Sequence, residues 1–432
     1  MFHNFNFGLW SWDFGLCVFV SWRICSYVGG TKDTQFKDQR PKAQDQNPSE
    51  EMNQASNSAD VIIIGGGVIG LAVARELALR GVPDVLLIER NSLGGESSRA
   101  AAGMLAPQAE ANRAHEFFDL TCRSRDMYPA FAAALLAETG VDIELDTTGT
   151  LYLAFTDDDE AELERRYKWQ SQAELPVEKL SATSVRQLEP AINKGVRAAL
   201  KFPLDIQVEN RRLLKALIAA NEKLRVRLET GTTVNALRVE RDCVSGVETS
   251  RGFIATNSVV IAGGAWSSML SAGDKALPDL RIKPVRGQML CFEPNPALAR
   301  HVIYSPRGYL VPRRDGRMLA GSTTEHAGFD KKVTTEGVHS IMTAAVEISP
   351  QVASLPLTDS WAGLRPRAAD TLPVLGPCAE IAGVYYATGH YRNGILLAPV
   401  TGELIARAIV DRVFPESLGI FSPDRFGLVA VG

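Results

Sequence analysis

The sequence predicts an α/β protein of two domains, one on a parallel sheet and one on a mainly antiparallel sheet. Three observations carry this. Two apolar runs, Val61 to Ile64 and Val85 to Ile88, flank a stretch with helical spacing, Val68 to Leu79, and runs of that length read as parallel strands covered on both faces. The glycines of GGGVIG fall at the turn between the first run and the helix. From Leu280 to Thr324 the pattern changes to alternating apolar and polar residues, in RGQMLCFEP, HVIYSPRGYLVPRRDG and RMLAGSTT, the mark of antiparallel strands.

Size and charge agree with this. At 432 residues and 45% apolar content, the chain can fill two or three cores. A net charge of −4 and a pI near 6.0 exclude the basic surface that nucleic acid or an anionic membrane would need. Cys17, Cys25, Cys122, Cys243, Cys291 and Cys378 form no CxxC pair, and the histidines form no HExxH cluster. No metal is therefore assigned, and the thiols are read as reduced in a cytoplasmic protein. Cys291, in GQMLCF, is expected in a core.

The elements follow in order. Residues 1–59 differ from the rest: an aromatic, apolar opening gives way to a polar stretch read as disordered. Asp13 and Arg23 leave nine residues between them, against the about 18 a spanning helix requires. The basic start and small-residue cleavage site of a signal peptide are not evident. An upstream translation artefact with Met52 as the natural start is the preferred reading, and a membrane-associating extension the alternative. After the strand, helix and strand already named comes NSLGGESSRAAA, Asn91 to Ala102, whose small residues can lie against a ligand. Helical spacing returns at His115 to Thr139, and β structure at Gly149 to Phe155. Asp157 to Glu174 reads as a charged, solvated surface helix, and Asn210 to Lys223 as an amphipathic one. From Arg225 to Ala265 strands and hairpins lead back to the first sheet, with Val259 to Ala262 as another buried strand before Gly263 and Gly264. A helix, Thr335 to Ile348, follows the antiparallel region, and VYYATGHYRNGILLAPVTGELIARAIVDRV closes the fold with strand, turn and helix. The expected cofactor domain comprises residues 60–138, 205–278 and 366–425, and the substrate domain 139–204 and 279–365.

Gly65, Gly67 and Gly70 make GxGxxG at a strand-to-helix turn, with Glu89 about twenty residues on. The first glycine permits the turn, the second lets backbone approach a pyrophosphate, and the third packs helix on strand. The helix start at Val68 and Ile69 presents unpaired amides and a positive dipole end. Glu89, followed by Arg90, would accept a hydrogen bond from a ribose hydroxyl, which disfavours NADP. Two features favour FAD over NAD. The Gly94 to Met104 segment lies where an extended cofactor continues toward its flavin. A glycine turn and second helix start, around Asn393 to Leu396, would face the negative charge of a reduced flavin. A capped C-terminal helix with no ligand is the alternative.

Taken in order, DVIIIGGGVIGLA, SSRAAAGMLAPQAE, VVIAGGAWS, PVRGQML, YLVPR, WAGLRP and GHYRNGILLAP resemble the FAD-dependent glycine oxidases of thiamine biosynthesis, within the D-amino-acid oxidase superfamily. The resemblance runs from Asp60 to about Val413. It implies a glutathione-reductase-type domain for FAD and a mixed sheet over the flavin for substrate; the FAD is expected to be non-covalent, since no cysteine or histidine stands out as a linker, and the chain a homo-oligomer. It also implies oxidation of glycine, sarcosine and small D-amino acids by O2, giving H2O2 and an imine. The imine hydrolyses to glyoxylate and ammonia or passes to the thiazole-synthesis machinery.

Matched by motif, Arg365 resembles the arginine that grips the substrate carboxylate, with Tyr309 beside it, Arg392 as a second substrate-site arginine and Met104 nearby. Ser97, Ser98, Ala102, Gly103 and Met104 match the segment beside the flavin. Val234 matches a contact to the adenosine half, and His390, Tyr391, Asn393, Gly394, Ile395 and Leu396 the turn against the flavin. Each has a plainer alternative: Arg365 an interface ion pair, Arg392 a turn cap, Tyr309 a core tyrosine, His390 a backbone contact. Arg307 departs from the pattern as an extra cation expected near the pocket mouth, where it would favour an acidic substrate. A guanidinium matches a carboxylate bidentately, and orientation alone can supply about 7 kcal/mol, so no side-chain base is assigned. A sarcosine oxidase, a D-amino-acid dehydrogenase and a non-catalytic FAD-binding subunit are the rival readings.

Overall fold

The computed structural model describes residues 57–427; the reading of the first 56 lies outside the described residues. Val61–Ile64 is the middle of a six-stranded sheet ordered Val374–Pro377, Val384–Thr388, Val259–Ile261, Val61–Ile64, Val85–Glu89, Arg227–Thr230. All neighbours are parallel except the first pair. The twofold alternation of a strand explains why its runs are wholly apolar. Val61 and Ile63 enter one core with the helices Val68–Leu79, Asn210–Lys223 and Ala398–Val410, while Ile62 enters another under a three-stranded antiparallel layer. That layer, Val234–Glu240, Cys243–Thr249 and Gly252–Ala255, buries Leu237, Val244 and Val247 against Ile62 and Leu86.

An eight-stranded sheet supplies the second half, ordered Leu357–Arg367, Lys283–Phe292, Met318–Gly321, Gly308–Pro312, Val302–Ser305, Thr150–Ala154, Ala198–Phe202, Glu178–Ser181. Its pairs are antiparallel apart from Val302–Ser305 on Thr150–Ala154. Alternation again divides the residues. Leu290, Phe292 and Leu310 pack beneath the helix Thr335–Ile348, whereas Met289, Cys291, Tyr309 and Val311 face the opposite way, toward Ala102 and Met104. Cys291 is buried and the four described cysteines are free. Among the described residues, no helix is long and apolar enough to cross a membrane.

Two expectations need correction. The helix Asp157–Gln172 is not simply solvated, because Asp159, Leu163, Arg166 and Gln170 form a buried stripe along it. The stripe is mostly polar, so hydropathy concealed it. Gln170 and Gln108 exchange amide hydrogen bonds of 2.9 and 3.0 Å, and Arg166 donates to the carbonyls of Ala109 and Ala111. Partnering of this kind makes polar burial tolerable. The last helix starts at Ala398 with Pro399 in its first turn, later than the Asn393 to Leu396 expected. Leu396 is buried in the core, and its carbonyl accepts the Ser124 hydroxyl.

Candidate functional site

A single long cleft runs from the glycine turn to the second sheet, lined at one end by Gly65, Gly67, Val68, Ile69, Glu89 and Arg90 and at the other by Met289, Tyr309, Ser322, Arg365 and Arg392. Ser97, Ser98, Ala102, Gly103 and Met104 line its middle, with Val234, His390, Tyr391, Asn393, Gly394 and Ile395 around it. Of the predicted cofactor residues, Gly70 and Leu396 do not line the cleft.

At the first end the backbone does the shaping. Gly65 has φ +113°, and a Cβ on it would stand 2.5 Å from the Ala262 carbonyl oxygen. A Cβ on Gly70 would stand 2.0 Å from the Gly65 carbonyl oxygen, so Gly70 acts through helix-to-strand packing, as its motif position requires. Gly67 caps the helix without a side chain, and the Val68 amide donates to the Ser98 hydroxyl at 3.0 Å. The Glu89 carboxylate accepts from the amides of Gly66 and Asn91, each at 2.9 Å. It therefore clasps the glycine turn from the end of the second strand. Arg90 lies with its guanidinium 3.7 Å from the centre of the Trp266 ring, a stacking that suits Arg. Trp266 lines the cleft and was not singled out from the sequence, although it follows Gly263 and Gly264 in VVIAGGAWS.

In the middle, Gly103 has φ +74°, and its Cβ would meet the Val208 carbonyl oxygen at 2.1 Å. The buried Arg313 holds this bend by donating to the carbonyls of Ala102 at 2.6 Å and Val208 at 3.0 Å. Burial draws its pKa down to about 10, which still leaves it charged near neutrality. Arg313 ends YLVPR, yet sequence reasoning missed it, since nothing in one sequence marks which arginine turns inward. The next segment, Ala106 to Glu110, is pinned from behind by Asp205, whose carboxylate accepts the amides of Gln108 and Ala109 at 3.2 and 2.7 Å.

The far end is made of side chains. Arg365 donates from Nη1 to the Thr323 carbonyl at 3.0 Å and from Nη2 to the Ser322 hydroxyl at 2.7 Å. Among the described residues no carboxylate forms an ion pair with Arg365, so the interface ion pair is not what holds it. Gly287, opposite Gly363 on the neighbouring strand, leaves the space it occupies, for a Cβ there would lie 2.2 Å from Nη1. Among the described residues the Tyr309 hydroxyl reaches only the Met289 sulfur, at 3.3 Å, a weak acceptor. Gly321 makes room for it, its Cβ position being 2.7 Å from that hydroxyl. Arg392 donates to the Thr324 hydroxyl at 3.0 Å. Ser322, Thr323 and Thr324 thus hold both guanidiniums side by side.

His390 and Arg307 differ from this group. Burial pushes the His390 imidazole down to about 3, and its Nε2 lies 3.0 Å from the Thr401 hydroxyl; it is a neutral wall of the cleft. Arg307 corrects an expectation: it is not at the pocket mouth. It donates to both Asp159 oxygens, at 3.0 and 2.8 Å, and to Glu347 at 2.6 Å. Burial alone would raise the Asp159 carboxyl, but Arg307 and the amides of Phe155 and Thr156 outweigh it and hold it at about 2.

Residues 60–408 match the family of FAD-dependent oxidoreductases. The chain belongs to this family. This oxidoreductase is 37% identical over 357 residues to the glycine oxidase of Pseudomonas aeruginosa, covering 82% of the chain and 96% of that protein. It is also 37% identical over 371 residues to the bifunctional protein ThiO/ThiG of Trichormus variabilis, covering 85% of the chain but 55% of the relative; it spans about half that protein's length. The crystal structure of glycine oxidase from Geobacillus kaustophilus matches it with a TM-score of 0.81 and 34% identity, over 86% of this chain and 99% of that one. The cleft suits the family's FAD, with a glycine turn and a helix start at one end and the bend at Gly103 midway along it.

Proposed function

We propose that the protein oxidises glycine, and with it sarcosine and small D-amino acids, to the imine. The observation that carries this reading is Arg365, a guanidinium in the cleft with no ion-pair partner among the described residues, beside a tyrosine hydroxyl with only a thioether to bond. Such a pair fits a carboxylate, which accepts a charge-assisted bond from the guanidinium and another from the phenol. Arg392 adds a third donor group. FAD, when bound, would supply the two-electron oxidation, with O2 as the final acceptor reduced to H2O2. Gly65, Gly67, Val68, Ile69, Glu89 and Arg90 would hold the nucleotide end, with Val234 at the adenosine half. Ser97, Ser98, Ala102 to Met104 and His390 to Ile395 would hold the flavin end, without a covalent link.

Fixing the carboxylate fixes the α-carbon, and orientation then supplies the acceleration without a base. His390 is neutral and turned to Thr401, which agrees with that economy. Glycine, O2 and water give glyoxylate, ammonia and H2O2 once the imine hydrolyses. The likeness to ThiO/ThiG supports a role in supplying the imine to thiazole synthesis. The division of labour follows the two sheets: residues 60–138, 205–278 and 366–425 for the cofactor, 139–204 and 279–365 for the substrate, in a cytoplasmic homo-oligomer.

The test is a visible spectrum of the purified protein under argon, before and after roughly 10 mM glycine, well above a KM of about 1 mM. Bleaching by glycine, followed by recovery and peroxide on admitting air, is expected. Flavin that stays oxidised with glycine but bleaches with sarcosine or D-alanine would move the substrate, and flavin that bleaches with none would end the reading.

A further inference from the structure

Glu110 closes the short helix Pro107–Glu110, which Asp205 pins from behind, and its side chain lines the cleft. Its carboxylate accepts one hydrogen bond, from the Tyr304 hydroxyl at 3.1 Å. Tyr304 is buried, and its ring centre lies 5.5 Å from that of Tyr309. Glu110 therefore stands at the same end of the cleft as the tyrosine that flanks Arg365. Among the described residues no cation lies within ion-pair distance of it. Burial draws the Arg392 guanidinium down, but the nearby Glu110, with Tyr391 and Tyr309, exceeds that pull and holds it above its ordinary value.

The charges at this end can be counted. Arg365 and Arg392 contribute two positive groups and Glu110 one negative, leaving one positive charge for an incoming anion. The other charged lining residues, Glu89, Arg90 and Glu96, gather toward the nucleotide end, where Glu96 faces Arg90 at 3.4 Å and Lys331 at 3.0 Å. His390 is neutral. Arg307, the cation that could have served a second carboxylate, is engaged by Asp159 and Glu347. A ligand with one carboxylate and an uncharged amine completes the balance, whereas a ligand with two brings its second toward Glu110, an exposed carboxylate on the wall of the cleft, where like charges repel.

We propose that Glu110 is a specificity-determining residue that restricts the site to amino acids carrying a single carboxylate. This rests on the reading of Arg365 as the carboxylate clamp. Selection works here by a repulsive group as well as an attractive one.

The test uses the holoenzyme and non-reacting ligands, so that it does not depend on turnover. Acetate and malonate are titrated while the flavin spectrum is followed. Wild type is expected to bind malonate at least about tenfold more weakly than acetate. Glu110→Gln keeps an acceptor for Tyr304 and loses the charge, and should raise the malonate-to-acetate affinity ratio about tenfold; Glu110→Asp keeps the charge and should retain the wild-type ratio. Wild type that binds malonate as well as acetate overturns the inference even if the Gln variant does not fold, and so does an unchanged ratio in a flavin-bearing Gln variant. If neither ligand perturbs the flavin of wild type, the clamp reading of Arg365 fails, and this inference falls with it. Bleaching of the flavin by glycine tells the two failures apart, since it occurs when only the selectivity is wrong.

Discussion

The two ends of the cleft are built by opposite means. The glycine-turn end, proposed to take the nucleotide, comes largely from one stretch, Gly65 to Arg90, and its shape is set by backbone: a Cβ on Gly65 or Gly70 would come within 2.5 Å of a carbonyl oxygen. The far end, where we propose the substrate binds, is lined by Met104, Met289, Tyr309, Ser322, Arg365 and Arg392, far apart in sequence and brought together by strand pairing and, for Arg392, by the turn after Val384–Thr388. Backbone sites leave their signature in residue spacing. Side-chain sites leave theirs in alternation, which says which residues share a face but not which of them meet.

The sharpest way to break the contrast is Gly70→Val. The added carbons have no room against the Gly65 carbonyl, so the helix cannot seat, and the protein should purify without flavin absorbance. Next is Arg365→Ala at the other end, which should leave flavin bound and raise the glycine KM about 100-fold or more, as expected for removing a charged partner from a desolvated pair. Steady-state kinetics on the flavin-loaded variant decide it, and an unchanged KM would take Arg365 out of the site.

Asp205 sharpens the comparison through pH. Burial pushes its carboxyl up to about 7, although the Ala109 amide, Arg125 and the Gln108 amide pull the other way. Between the ordinary carboxyl range near 4 and about 7, the folded chain holds a proton that the unfolded chain has lost. Stability from this group is therefore fully present at low pH and declines as pH rises through that window, by up to about 1.4 kcal/mol per unit. Denaturant titrations of wild type and Asp205→Asn from pH 5 to 8 should show the difference between them shrinking as pH rises; a constant difference would mean a carboxylate ionised throughout. The smallest effect on the site is expected from Arg307→Gln. Glycine KM should stay within about twofold, while loss of the ion pairs to Asp159 and Glu347 should lower Tm by roughly 2–6 °C, read by thermal melting.

What could be read in the sequence follows the same division. The strand Val61–Ile64, the helix Val68–Leu79 and the helix Thr335–Ile348 fall where the apolar pattern puts them: the strand is buried on both faces, the first helix on most sides and the second along one face. The eight-stranded sheet was legible as alternation, though not the parallel pairing of Val302–Ser305 with Thr150–Ala154, which no local pattern encodes. Arg307 looked free because Asp159, 148 residues away, sits on a helix whose buried stripe is polar. Arg313 was invisible for a related reason: burial of a charged side chain depends on partners from distant segments. Glu110 gave no signal because its facing Tyr304 lies 194 residues further on. Gly287 and Gly321 carried a usable signal, since glycine inside a strand often marks close approach by another group.

The strand Val384–Thr388 is the last parallel strand among the described residues, and it lies against Val259–Ile261. A growing chain therefore makes Val259, Val260 and Ile261, all buried in the finished fold, about 120 residues before their outer neighbour exists. At 5 to 20 residues per second that interval is roughly 6 to 24 s, during which an apolar strand edge stands open to pairing with other chains. His390 to Ile395, one wall of the cleft, emerge later still. Cofactor capture thus belongs after synthesis, and a chain truncated before residue 384 should accumulate as aggregate with no cleft to load.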